Sequence, residues 1–195
     1  MHHRNYFVPG LLFLLILVTG CKTAPSVPTE PVPNSVSESK KQTVLFSGSS
    51  LIFELPSDKW SLIDKREMND RSLYAYGRTA VVDKAGRKIV PTFAVICESV
   101  APNQDLTVYS ILKRNNARFA VKKLFTHESG EVKIRNALGY VGNYTDSRGL
   151  EHTILVVHAI NKNAAYQISL DVTSEIYPEV QEEFYSILKS LSFLN

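Results

Sequence analysis

The 195 residues predict an α+β fold: a mostly antiparallel β-sheet carrying two main helices. Three observations lead there. Tyr166, Ile168, Leu170 and Val172 alternate with Gln167, Ser169 and Asp171, the period of a strand with one buried face. Segments 137–146, 151–160 and 164–172 follow one another across Ser147-Arg148-Gly149 and Asn161-Lys162-Asn163, turn-forming links that imply a meander. Two other stretches space apolar residues as a helix does: Val108, Ile111, Leu112 and Phe119, then Val180, Phe184, Ile187, Leu188 and Leu191.

The N-terminus has another character. His2, His3 and Arg4 precede an unbroken apolar run, 11–18, and then small Thr19 and Gly20. This is the layout of a secretory signal peptide, expected over residues 1–20. The run is too short for a membrane-spanning helix, which takes about 20 apolar residues. Residues 21–43 read as a tether, with Pro25, Pro28, Pro31 and Pro33 followed by Ser35, Ser37 and Ser39. Such a segment cannot bury enough apolar surface to order itself. Its reach is on the order of 50 Å at about 3.1 Å per extended residue.

Residues 44–195 are the expected folded domain. Leu51-Ile52-Phe53-Glu54-Leu55 reads as a strand stopped at Pro56-Ser57-Asp58, and Trp60-Ser61-Leu62 as a short second one. Segments 73–82 and 89–100 read as long strands about a turn at Asp83-Lys84-Ala85-Gly86. Asn103 or Asp105 can cap the first helix, and polar His127-Glu128-Ser129-Gly130 then leads to the meander. Pro178 suits the first turn of the last helix, with Glu179, Glu182 and Glu183 near its positive end. Phe93–Cys97 and Ile154–Val157 are apolar at successive positions, which predicts a sheet covered on both faces at its centre.

Composition narrows the function. The formal charge is +3, and loss of the first twenty residues, with one arginine and no acid, leaves +2. That lacks the basic footprint of a nucleic-acid binder. With Cys21 modified, Cys97 would be the last thiol, and its apolar setting at 93–97 suits a core residue. His152 and His158 share one strand face but lie roughly 20 Å apart at about 3.3 Å per residue, too far for one metal ion. No metal site or cofactor is expected, and the histidines read as solvated or singly hydrogen-bonded. No Gly-x-Ser-x-Gly elbow, phosphate loop or His-Glu-x-x-His stands in the chain. Glu182 and Glu183 read as solvated helix carboxylates, and Trp60 as a packing residue. Gly139-Tyr140-Val141-Gly142-Asn143-Tyr144 is the unusual stretch: strand glycines mark a close backbone approach. Its tyrosines, Tyr140 and Tyr144, are candidates for a partner surface.

Two resemblances add to this reading. Val18-Thr19-Gly20-Cys21 resembles the bacterial lipobox, which implies a diacylglyceryl group on the Cys21 thiol and cleavage just before it. Acyl chains anchor a protein at about 0.8 kcal/mol per buried methylene. The expected partners are therefore a membrane surface and an envelope protein. Lys22, in place of an inner-membrane-retaining aspartate, favours the periplasmic side of an outer membrane.

The second resemblance covers the folded domain. Phe53-Glu54-Leu55-Pro56-Ser57-Asp58-Lys59-Trp60 resembles the opening of PsbP-like and Mog1-like domains, and 184–193 resembles their closing helix and Ser-Phe element. It implies an α/β/α sandwich and an accessory or partner-binding role. The leading expectation is a non-enzymatic lipoprotein whose domain binds another protein. The competing one is a small-ligand binder or enzyme whose site assembles from sequence-distant residues.

Overall fold

A computed structural model describes residues 40–46 and 50–194. The stretches read as signal peptide and lipobox, and nearly all of the one read as tether, lie outside the described residues. Gln42, the start of β1 (Gln42–Leu45), pairs with Leu55, so the last residues of the stretch read as tether are part of a strand.

Seven strands form the main sheet: β3 (Trp60–Glu67), β4 (Arg71–Arg78), β7 (Thr92–Ser99), β8 (Ala120–Thr126), β9 (Ala137–Thr145), β10 (Glu151–Asn161) and β11 (Ala164–Thr173). Their order is β3-β4-β7-β11-β10-β9-β8, with every neighbour antiparallel. The meander β9-β10-β11 and its turns stand as expected. Gly149 in the first turn and Lys162 in the second take positive φ, at 80° and 55°. Both sheet edges carry lysines and a register shift, at Ile63 in β3 and Lys122 in β8. These are devices that blunt an exposed strand edge.

One face of this sheet is closed. Tyr76, Phe93, Val95, Leu155, Val157, Ile168 and Leu170 project from it into the main core. Helix α2 (Tyr177–Ser190) lies on that side and buries Val180, Phe184, Ile187 and Leu188 completely, as the apolar spacing predicts. Pro178 sits in its first turn. The small sheet β1-β2-β12, with β2 (Leu51–Leu55) central and β12 (Ser192–Phe193) on its far side, completes the layer. Phe53 meets Tyr76 and Phe93 edge-on, at 5.6 and 4.9 Å between ring centroids. At the sheet margin the buried Trp60 donates its indole N–H to Glu183 at 2.8 Å, and Arg78 clasps the same carboxylate through Nε and Nη2. Glu183 is thus tied into the core margin rather than solvated.

The other face is only half covered. Helix α1 (Leu106–Asn115) packs over β9 and β10 and is capped by Asp105, whose carboxylate accepts from the Val108 N–H at 2.9 Å. The two helices on opposite faces make the expected α/β/α sandwich.

Several elements differ from the sequence reading. The segment 89–100 is divided at Pro91, which has no N–H to give a ladder. Lys88–Ile89 (β6) pairs instead with Val81–Val82 (β5) in a separate hairpin, and its turn glycine, Gly86, has φ 79°. The strand from Trp60 runs on to Glu67. Strand β8 replaces what reads as the end of the first helix. The largest difference is rotational. Val108, Ile111 and Leu112 point away from the sheet, and Tyr109 and Ser110 point in. The apolar stripe reads as the buried face but is the exposed one.

Candidate functional site

The half-covered face holds a cleft of about 250 Å³, below the C-terminal end of α1. The pleat explains its floor. Residues that alternate with the core set must project to the other side, so β10 offers Ile154, Val156 and His158 and β11 offers Gln167 and Ser169. His158 and Gln167 stand directly opposite each other across the two strands. Phe119, just beyond α1, supplies an apolar wall. It can lie close because Gly142 has no side chain: a Cβ there would be 2.4 Å from the Phe119 ring and 2.7 Å from the Ala120 carbonyl. Gly139 serves the core side likewise, since a Cβ there would be 2.2 Å from the Phe125 ring. Both glycines mark close approaches, as their place in a strand predicts.

The polar chemistry centres on His158, which is 2 % exposed. Its Nδ1 lies 2.8 Å from Ser110 Oγ, and Ser110 Oγ lies 2.5 Å from the Tyr140 hydroxyl. One arrangement of protons gives both hydroxyl protons an acceptor; the reverse one, with Nδ1–H donating to Ser110 and Ser110 to Tyr140, leaves the Tyr140 proton without one among the described residues. In the first, Tyr140 donates to Ser110, Ser110 donates to Nδ1, and the ring proton stands on Nε2. That Nε2–H has no hydrogen-bond partner among the described residues, and the ring lines the cleft. Burial pushes the imidazole down to about 4, and the Lys113 charge nearby adds to this. The ring is therefore a neutral donor at neutral pH.

The rim is cationic. Lys113, Arg114 and Arg118 border the opening, and among the described residues no acidic side chain lines it. Lys113 is held by Glu98, which also pairs with Arg71 at 3.0 Å. Arg114 and Arg118 have no carboxylate partner among the described residues. Inside, the Gln167 amide and the Ser169 hydroxyl are half-buried and without a hydrogen-bond partner among the described residues.

The residues singled out in the sequence fare unequally. Tyr140 is 3 % exposed and cannot present a partner surface. It faces α1, where Ser110 engages its hydroxyl. Tyr144 is half-buried in the cleft wall, its ring stacked on His152 at 4.8 Å and its hydroxyl donating to Asp171. His152 also contacts Asp171, Nδ1 to Oδ1 at 2.8 Å, so neither strand histidine is free in solvent. Cys97 is half-buried against the core, and burial pushes its thiol up. Val18, Thr19, Gly20 and Cys21 lie outside the described residues. Among the described residues, no three His, Cys, Asp or Glu side chains converge as metal ligands.

Ser110 and His158 resemble a nucleophile–base pair, but the geometry does not suit that chemistry. Ser110 is fully buried, and Tyr140 and His158 occupy its hydroxyl. A nucleophile must reach its substrate. Here the imidazole faces the cleft and the serine stands behind it. Ser110 orients the ring.

No family model matches the sequence, and no curated protein matches it. The chain is similar in structure to PA94 of Pseudomonas aeruginosa, a protein of unknown function. The two share 12% identity at a TM-score of 0.53, over 80% of this chain and 98% of that one. It is similar also to the cyanobacterial PsbP protein of Synechocystis, at 13% identity and TM-score 0.51, over 86% and 99% of the two chains. The yeast Ran-binding protein Mog1p aligns more loosely, at 11% identity and TM-score 0.48 over 80% and 97%. The first two likenesses establish the PsbP-like fold and leave the function to the site.

Proposed function

We propose that this is a lipid-anchored protein of the bacterial cell envelope, whose folded domain is a non-catalytic binding module. The anchor rests on Val18-Thr19-Gly20-Cys21 and the proline-rich stretch after it. Binding rests on the cleft. The buried His158 Nε2–H, without a hydrogen-bond partner among the described residues, faces an apolar wall under a basic rim, and Ser110, bonded to the other ring nitrogen, is sealed away. Small-molecule sites have this makeup, mostly apolar with a few placed polar groups. Replacing Cys21 by Ser tests the anchor: intact mass should lose the acyl groups, and the protein should leave the membrane fraction. Unchanged mass and distribution would refute it. Native mass spectrometry of protein released from its own envelope tests the module, by showing whether a small molecule accompanies the chain.

A second reading, a protein partner, is favoured by α1's outer face. Val108, Ile111 and Leu112 stand exposed in a segment, 106–126, that has five basic residues and no acid. A partner there would be apolar and acidic. Crosslinking from position 112, compared with position 82 on the β5–β6 hairpin, distinguishes a seated partner from random encounter.

A further inference from the structure

We infer that the cleft under α1 binds a small monocarboxylate with an apolar body, its carboxylate at His158 and Gln167 and its hydrocarbon against Val156, Ile154 and Phe119. The inference rests on the binding reading above and adds the ligand's class.

Charge decides the polar end. The His158 Nε2–H can only donate while the ring is neutral, so it calls for an acceptor. Gln167 and Ser169 add an amide N–H and an O–H on the same floor. Three cations border the opening, two without a carboxylate partner among the described residues, and no acid balances them in the lining. A neutral acceptor would use the donors and ignore the rim. An amine would be repelled by the rim and would find no anion inside. A carboxylate uses both, because hydrogen bonds to an ionised acceptor are about twice as strong as neutral ones.

Size decides the rest. A cavity of about 150 Å³ takes benzene, and sites for drug-sized molecules begin near 300 Å³. At about 250 Å³ the cleft fits on the order of ten non-hydrogen atoms. Octanoate is such a molecule. Its chain would run against the buried Val156 and cover Ile154 and Phe119, which are half-buried on the half-open side of the sheet.

The test is calorimetric titration of the full chain in lipid nanodiscs, with empty nanodiscs subtracted for partitioning. Sodium octanoate should saturate one site with Kd on the order of 0.1–1 mM, the range such a small ligand can reach. Octan-1-ol and octylamine should bind at least about tenfold more weakly, the loss expected when a charge-assisted hydrogen bond goes. Gln167→Leu and Arg118→Ala, both of which spare the core, should each weaken octanoate several-fold, and Arg118→Ala should leave octan-1-ol unchanged. His158→Phe should remove the preference for octanoate over octan-1-ol, with thermal melting confirming that it folds. If octan-1-ol or octylamine binds as tightly as octanoate, or neither cleft variant alters octanoate, the carboxylate assignment is overturned and the cleft remains a binding site. If none of the three saturates by about 10 mM, the binding reading falls with it.

Discussion

Under α2 the sheet offers Phe93, Val95, Leu155, Ile168 and Leu170, and the helix answers with Val180, Phe184, Ile187 and Leu188, all buried. Under α1 the same strands offer Ile154, Val156, His158, Gln167 and Ser169, and the helix answers with Tyr109 and Ser110 while its own aliphatic residues face out. Each side uses one β-pleat and one amphipathic helix. They differ in what is left unmet. Every large group on the α2 side has a neighbour, so that side supplies stability. The α1 side keeps a gap, a buried imidazole and donors without a partner among the described residues, and the binding proposed above rests on that difference.

Truncation should show this difference most strongly. Phe184 is fully buried between Trp60 and Tyr177, with ring centroids 6.2 and 6.3 Å away. Phe184→Ala removes its apolar contacts and leaves a cavity, at a cost of about 3–5 kcal/mol. That is a large share of the 5–15 kcal/mol typical of a domain. Urea unfolding should show a much lower midpoint at unchanged slope. A loss below about 1 kcal/mol would mean that α2 does not close the core.

Acidification acts on the other side first. The His158 imidazole sits at about 4 in the folded protein against 6.5 in a free chain, through burial and then Lys113. Between those values the unfolded chain takes up a proton that the folded protein refuses. Stability is therefore full above pH 6.5 and falls toward pH 4, by on the order of 3 kcal/mol. His158→Phe should flatten that limb of the stability–pH curve while the rest keeps its shape. A limb unchanged in the variant would place the titration elsewhere.

Glu183 marks the α2 side in a lower window. Burial favours its protonated form, but Arg78 and the Trp60 N–H outweigh this and hold the carboxyl below 4.5. What the carboxylate contributes is present above 4.5 and lost as pH falls through the lower folded value. Glu183→Gln should cost about 2 kcal/mol at pH 7, since it weakens three charge-assisted bonds. The deficit should vanish at the acid end. A constant deficit at all pH would assign it to packing and not to charge.

The closed side was far more legible in the sequence than the open one, for a physical reason. Where a helix or strand buries one face completely, as α2 and β11 do, the buried residues must be apolar and their period shows. At α1 the buried positions are Tyr109 and Ser110, so the visible period belongs to the wrong face. Strand β8 is an edge whose only fully buried residue is Phe125, and it offers no alternation to read. Gly139 and Gly142 were informative, because a missing side chain in a strand implies a neighbour that fills the space. Ser110, Gln167 and Ser169 carried no signal. They acquire a role only when β10 and β11 come into register and α1 lies across them. The hint available was Tyr109-Ser110, an aromatic and a small polar residue set between the aliphatic Val108 and Ile111.

The smallest effect tests the orientation of α1 itself. Leu112 is 58 % exposed and Ile111 43 %. With both facing solvent, Leu112→Ser removes little buried area and exchanges one helix former for a slightly poorer one. The expected change is within about 0.5 kcal/mol, the range of surface substitutions. Tyr109→Ser, on the inward side, should cost several times that, because Tyr109 packs with Ile160 and Ala165 and meets the His158 ring edge-on at 5.7 Å. The ratio of the two losses is informative even if both absolute values drift. A ratio near one, or a larger loss at Leu112, would mean that the helix is rotated and its aliphatic stripe lies on the sheet. The cleft and the exposed face would then both disappear.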